Sequence, residues 1–211
     1  MDTRSTKKHN KNTYDAIAAD YEANYGVISA SLDFAEYIVD KVKKFNNPKI
    51  LDLGCGGGNL LQLFENKLPN ASLIGVDFSS EILKIAESKL KRTKLVCEDF
   101  VTFEDKSKFD VIIATFSLIH STDNELTRLI PKIFDMLNND GYLYVSFILG
   151  TGEKFEPEAL NPKHKTYFNF HSKDFLEKLF ENNRLHILKE KVIHSQDQYE
   201  NEDDLYLILT K

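Results

Sequence analysis

ILDLGCGGGNL, Ile50 to Leu60, runs apolar, breaks into glycine and then resumes its apolar residues at helical spacing. Ile50, Leu51 and Leu53 suit a strand buried on both faces. Gly54, Gly56, Gly57 and Gly58 permit the sharp, positive-φ turn that a side chain resists, and Asn59 with LLQLF restores a period of three and four. The stretch predicts strand, glycine loop, helix. Such a junction gathers backbone N–H groups and the positive end of a helix dipole in one small volume, open to a polar or anionic ligand.

Counting separates the nucleotide-loop patterns that could apply. A dinucleotide fingerprint, GxGxxG, meets Asn59 if begun at Gly54 and Leu61 if begun at Gly56, so it fails. A phosphate loop, GxxxxGK[ST], fails because no Lys followed by Ser or Thr closes the stretch. What stands is Asp52-x-Gly54-x-Gly56-x-Gly58, an acid at a strand end followed by glycines at alternate positions. This resembles the first motif of the class I S-adenosylmethionine (SAM) dependent methyltransferases, over a span of roughly residues 13 to 211. The resemblance implies that Asp52, Gly54, Cys55, Gly56 and Gly58 hold the methionine end of SAM, with S-adenosylhomocysteine (SAH) as product.

Downstream residues extend the resemblance. After a helix over Asn59 to Lys67, SLIGVD forms a second strand ending at Asp77, 19 positions beyond Gly58. An acid there can accept both hydroxyls of a ribose; by resemblance Asp77 is the ribose-binding acid and Phe78 lies beside the adenine. Asp77 could instead cap the next helix, but Ser79 or Ser80 suits that position. A helix from Glu81 to Leu90 precedes KLVCEDF, a third strand closing on Glu98-Asp99-Phe100. By resemblance Asp99 accepts from the exocyclic amine of adenine and Phe100 flanks the ring, while Glu98 faces solvent. Phe109 to Ser121 gives a central fourth strand, apolar over Val111 to Ala114, with Thr115, Phe116, Ser117 and His120 at its end and in the loop beyond. The resemblance places Thr115 and Phe116 at the cofactor. The loop has no [ND]PP[FY], the element of amino-methylating enzymes that act on nucleobases or glutamine amides.

Residues 1–12 have no apolar residue after Met1 and predict a segment without fixed structure. Tyr14, Ile17, Ala18, Tyr21 and Tyr25 then share a helix face. The face alone reads as a buried aromatic stripe; by resemblance it is the cap over SAM, with Tyr14 and Tyr21 at the cofactor and Tyr25 at the substrate. A second helix, Leu32 to Phe45, ends before Pro48. Toward the C-terminus come a helix with Pro131 expected in its first turns, an Asn138 to Gly141 turn and a fifth strand, YLYVSFIL. Residues 150–167 read as a long loop, a candidate lid whose Phe155 and Tyr167 either line a substrate pocket or pack as local core. Ser172 with His171 caps a helix over Lys173 to Glu181. Strands over Leu185 to Ile193 and Leu205 to Thr210 flank SQDQYENEDD, read as a solvated hairpin tip.

The expected fold is α/β: a doubly wound, seven-stranded, mostly parallel sheet with an antiparallel C-terminal hairpin strand, helices on both faces and an N-terminal helical cap. It makes one domain over 13–211, divided into cap helices 13–46, cofactor core 47–150, possible lid 151–171 and C-terminal helix with hairpin 172–211. A net charge of −6, from 27 basic and 33 acidic side chains, gives no electrostatic footprint for nucleic acid. Cys55 and Cys97 match neither a zinc spacing nor a disulfide framework, and the histidines form no metal-ligand spacing, so no metal is expected. With no membrane-length apolar run and no signal-type h-region, a cytoplasmic protein is expected, monomer or homodimer.

The resemblance implies methyl transfer to an O, N or S atom of a small molecule. A protein or RNA acceptor, or a non-catalytic SAM or SAH binding module, stands as the alternative; a nicotinamide oxidoreductase lacks its third glycine. In-line transfer from an activated methyl rests mainly on alignment, worth ~7–11 kcal/mol of barrier. His120, whose imidazole titrates near neutrality, is the candidate to orient or deprotonate the acceptor and equally a candidate for a buried structural histidine.

Overall fold

The computed structural model describes residues 3–25, 29–158, 161–194 and 203–211. Two helices, α1 (Thr3–Tyr25) and α2 (Ser29–Val42), precede β1 (Lys49–Leu53), α3 (Asn59–Lys67), β2 (Ser72–Asp77), α4 (Ser80–Lys89), β3 (Lys94–Cys97) and β4 (Phe109–Thr115). A 3-10 turn at Leu118–His120 leads to α5 (Asp123–Met136), β5 (Leu137–Ile148), β6 (Gly152–Pro157), β7 (Lys165–Phe170), α6 (Lys173–Asn182), β8 (His186–His194) and β9 (Asp203–Thr210).

The seven-stranded sheet runs β3-β2-β1-β4-β5-β9-β8, and β6 pairs with β7 in a separate ribbon. β1 pairs in parallel with β2 and β4, whereas β9 runs antiparallel to both β5 and β8. Side-chain alternation explains why the inner strands are mainly apolar on both faces. Leu51, Ile112, Leu143 and Leu207 enter the core under α5 and α6, while Ile50, Val111, Tyr144 and Tyr206 enter the core under α2, α3 and α4. Each residue thus finds an apolar layer whichever way it points, at roughly 1.5–3 kcal/mol per fully buried aliphatic side chain. β1 lies where strand order reverses, between β2 and β4, so its carboxyl end opens onto the crevice in which ligands of doubly wound sheets bind.

The expected helix starts are met at Ser79, whose side chain accepts from the Ile82 amide, and at Ser172, which accepts from Phe175. Four other expectations are corrected. Residues 3–12 are helical, not without structure: Thr6, Asn10 and Thr13 are buried, continuing the stripe of Ile17 through polar side chains. Pro131 sits in the interior of α5, not in its first turns, because a Thr122–Glu125 capping box starts the helix early. The buried Leu126, Leu129, Ile130 and Ile133 together outweigh proline's cost of ~3 kcal/mol. The Asn138–Gly141 turn is absorbed into β5, where the β4–β5 register shifts between Phe109 and Val111 and the Asn138 amide donates to Asp110. Half of residues 150–167 pair as strands of the β6–β7 hairpin, where a loop was expected. Most of the SQDQYENEDD tip, 195–202, and the side chain of Tyr25 lie outside the described residues.

Candidate active site

The turn after β1 is held from two sides. Gly54, Gly56 and Gly58 all have positive φ, at 80°, 51° and 78°. The Gly54 and Cys55 amides both donate to the Val76 carbonyl, at 2.7 and 3.0 Å. A Cβ on Gly54 would stand 2.3 Å from that of Ser117, so the β1 and β4 loops meet at a contact only glycine permits. Gly56 leaves its outer side open, with nothing within 4 Å of an added Cβ. Gly58 serves packing, its Cα facing Ala86 of α4 and Leu90 just past the end of that helix.

Asp77, at the end of β2, accepts the Gly56 amide on Oδ2 at 3.0 Å and the Ser79 amide on Oδ1 at 2.9 Å. Burial pushes its carboxyl up to about 6 although both amides favour the ionised form. Asp52 lies beneath the loop, 2% exposed, and its Oδ1 has no hydrogen-bond partner. Burial, aided by the neighbouring charge of Asp77, raises it to about 8. The Ser117 hydroxyl, also buried, likewise lacks a partner.

A half-open cavity lies over these groups. Gly54, Gly56, Asp77 and Phe78 form its floor. Phe100, Thr115, Phe116 and His120 bring in the ends of β3 and β4, and Tyr14 and Tyr21 close it from α1. Phe116 holds φ at 50°, a strained value for a bulky residue, with its amide on the Ser146 hydroxyl. Ser117, named in the sequence only for its place in the loop, and Ile82 of α4, unforeseen at the site, also reach the cavity. Ile82 continues the α4 stripe into the Tyr14–Ile17 cluster, which helical periodicity alone cannot tell from core.

Several expected site residues lie off the lining. Asp52 is beneath it, and the Cys55 side chain packs into the core beside Leu61. Asp99 accepts from the Val101 amide at 3.0 Å and from Lys7 of α1 at 3.4 Å, and the same lysine stands 4.7 Å over the Phe100 ring. Phe155 and Tyr167 stack edge-on within the hairpin, and Phe155 meets His9 of α1. Tyr167 reaches the site through its backbone: its carbonyl accepts from His120 Nδ1 at 2.9 Å. The other His120 nitrogen, Nε2, lies 2.9 Å from the Tyr14 hydroxyl, and burial lowers the imidazole to about 4.

Polar contacts unseen in the sequence hold α1 across this edge. Asn10 donates to the Tyr167 carbonyl and accepts its amide, at 3.1 and 2.8 Å. Asp15 accepts from the Ser79 hydroxyl at 2.7 Å, at the start of α4. Among the described residues no helix is long and apolar enough to cross a membrane, and no cluster of three His, Cys, Asp or Glu is placed to hold a metal.

A cofactor of nucleoside and amino acid halves fits these groups. The bare main chain at Gly56 leaves room, and the unpartnered Asp52 Oδ1 and Ser117 Oγ are buried polar atoms in want of a ligand. Residues 50–141 match the family model described as methyltransferase domain. A demethylmenaquinone methyltransferase of Thermotoga maritima is 30% identical over 153 residues, 71% of this chain and 66% of the relative. An uncharacterized methyltransferase of Bacillus cereus is 27% identical over 196 residues, 86% and 89% of the two chains. The crystal structure of 1,6-didemethyltoxoflavin-N1-methyltransferase from Burkholderia thailandensis, with 1,6-didemethyltoxoflavin and SAH, superposes with a TM-score of 0.76 at 13% identity, covering 100% of this chain and 91% of that one. With the glycine pattern, strand order and domain match in agreement, the chain belongs to the class I SAM-dependent methyltransferase family.

Proposed function

We propose that the protein transfers the methyl group of SAM to an O, N or S atom of a small molecule, acting in the cytoplasm as a monomer or homodimer. The observation that carries this reading is the meeting of the Gly56 amide with the Asp77 carboxylate on the floor of an aromatic-walled cavity. When bound, SAM supplies a methyl already activated on a sulfonium. The chain's task is then to hold and align.

In this reading Asp77 accepts the ribose hydroxyls, and Phe78 and Phe100 flank the adenine. Asp99, its Oδ1 engaged by Lys7, offers Oδ2 to the exocyclic amine. Asp52 supports the loop from beneath the methionine end, and Ser117 stands against Gly54 at that same end. Thr115, Phe116, Tyr14 and Tyr21 enclose the reacting end and exclude water. The β6–β7 hairpin, with Phe155 and Tyr167, supports this wall from behind as the lid element. His120, with both nitrogens engaged, meets the acceptor only through its neighbour.

A small acceptor agrees with the net charge of −6 and with two similar proteins whose names specify small molecules, demethylmenaquinone and 1,6-didemethyltoxoflavin. Calorimetric titration with SAM, SAH and NADH tests the site: SAM and SAH bind, and NADH does not. Preference for NADH, or no heat with SAH, overturns the reading. Label from methyl-tritiated SAM then enters the small-molecule fraction of an extract; label confined to protein or RNA moves the acceptor to those classes.

A further inference from the structure

His120 occupies the cavity with its hydrogen-bonding directions fixed. A backbone carbonyl only accepts, so Nδ1, 2.9 Å from the Tyr167 oxygen, must carry the ring proton of the neutral imidazole. Nε2 is then the bare nitrogen, and the Tyr14 hydroxyl 2.9 Å away donates to it. The ring is 7% exposed, with Phe168 at 5.1 Å between centroids. Tyr14 lines the cavity from α1, His120 from the turn after β4, and the carbonyl comes from β7. Three elements distant in sequence thus build one directional chain, phenol to imidazole to carbonyl.

We propose that this chain is a proton relay, so that the enzyme's acceptors carry an O–H or N–H proton that must leave during transfer, not a carboxylate or thiolate that arrives without one. The inference rests on the methyltransferase reading of the same cavity. As the acceptor atom bonds to the methyl carbon and the carbon–sulfur bond breaks, the acceptor's proton passes to the Tyr14 oxygen. Tyr14's own proton passes to His120 Nε2. The sulfur leaves as a neutral thioether, and the positive charge it carried now resides on the imidazolium, held by the Tyr167 carbonyl. One cation enters the step and one leaves it.

The charge balance explains a buried histidine with no carboxylate partner. While a sulfonium is present a second cation is disfavoured, so Nε2 stays bare and ready; once the charge leaves sulfur, that penalty lifts. Burial and Lys7, the charged group acting on the ring from α1, both hold the imidazole neutral beforehand.

Nitrogen-15 labelled histidine reports the relay without a known acceptor. In the ligand-free protein at pH 7.5, His120 is expected neutral with the proton on Nδ1; a proton on Nε2 overturns the proposal. The proton affinity of His120 is then compared in complexes with SAH, a neutral thioether, and with sinefungin, which carries an ammonium near the sulfonium position. It should be about tenfold or more higher with SAH. Tyr14→Phe, which keeps the ring but removes the oxygen, should lower that affinity about tenfold in the SAH complex. Equal affinities in the two complexes, or no response to Tyr14→Phe, overturn the relay. Failure of SAH and sinefungin to bind would instead bring down the methyltransferase reading, leaving the ligand-free tautomer to be judged by itself.

Discussion

The amide of Gly56 donates to Oδ2 of Asp77 at 3.0 Å, joining the turn after β1 to the tip of β2 across 21 positions of sequence. With the Ser79 amide on Oδ1, both carboxylate oxygens are engaged before any ligand arrives. In the proposed mode of binding, a ribose adds its hydroxyls to these bonds or displaces them, and either way it calls for the ionised acid.

SAH affinity should therefore depend on pH through Asp77, whose carboxyl is raised to about 6. Below that value the acid is protonated and cannot accept from both hydroxyls, so affinity falls by at most about tenfold per pH unit. Binding near pH 6 should release a proton, measurable as a dependence of calorimetric heat on buffer ionisation enthalpy. Asp77→Ala should weaken binding by about 1.5 kcal/mol or more, the scale of hydrogen bonds to a charged group. Unchanged affinity in that variant would remove Asp77 from the site.

Asp52 makes a prediction about the ligand-free protein. Its native carboxyl is raised from 3.8 to about 8, so the folded state holds its proton more tightly than the unfolded chain does. The stability this contributes is fully present below the unfolded value and is lost as pH rises through 8. Asp77 adds a smaller loss that ends near pH 6. The thermal midpoint should fall between pH 6 and 8, and Asp52→Asn should flatten that decline. An equal slope in wild type and variant would show that the carboxyl is not the cause.

Gly54 is where a single methyl group should do most harm. Its φ of 80° disfavours any side chain, and the Cβ would lie 2.3 Å from Ser117 Cβ. Gly54→Ala should cost about 2–4 kcal/mol, combining backbone strain with a steric clash. Adding Ser117→Gly removes the clash and leaves the strain, so the double variant should recover part of the loss. If denaturant midpoints show no recovery, the loops do not meet as described.

What could be read from the sequence was whatever depends on apolar periodicity or on glycine. The inner strands announce themselves because each is buried on both faces, and the β1 turn because few residues adopt its φ. The β6–β7 hairpin was hidden by Pro157 and by the charged residues of GEKFEP, which are tolerated in a two-stranded ribbon with an open edge. At the site, Asp77 and Phe78 were legible as a strand end, whereas the hydrogen-bond partners of His120 were not. Its partners come from α1 and β7, 106 and 47 positions away, and no spacing rule connects them.

The first turns of α1 were missed for a related reason. Thr6, Asn10, Thr13 and Ile17 stand at helical intervals, but three of the four are polar, so a search for apolar stripes passes over them. They are buried because β7 presents them with backbone groups to satisfy. Asn10 pairs with both the amide and the carbonyl of Tyr167, and Thr13 and His9 donate to the Lys165 carbonyl at 2.8 and 2.9 Å. Asn10→Ala strips the Tyr167 amide of its acceptor inside a buried contact. It should cost about 2 kcal/mol, or roughly 4–8 °C in thermal midpoint for a chain of this length. Removal of residues 1–12 should cost more, since Lys7 and its contacts with Asp99 and Phe100 go with it. Calorimetry of the two variants decides the matter: a truncated protein that melts with the wild type would return these residues to the unstructured segment their composition suggests.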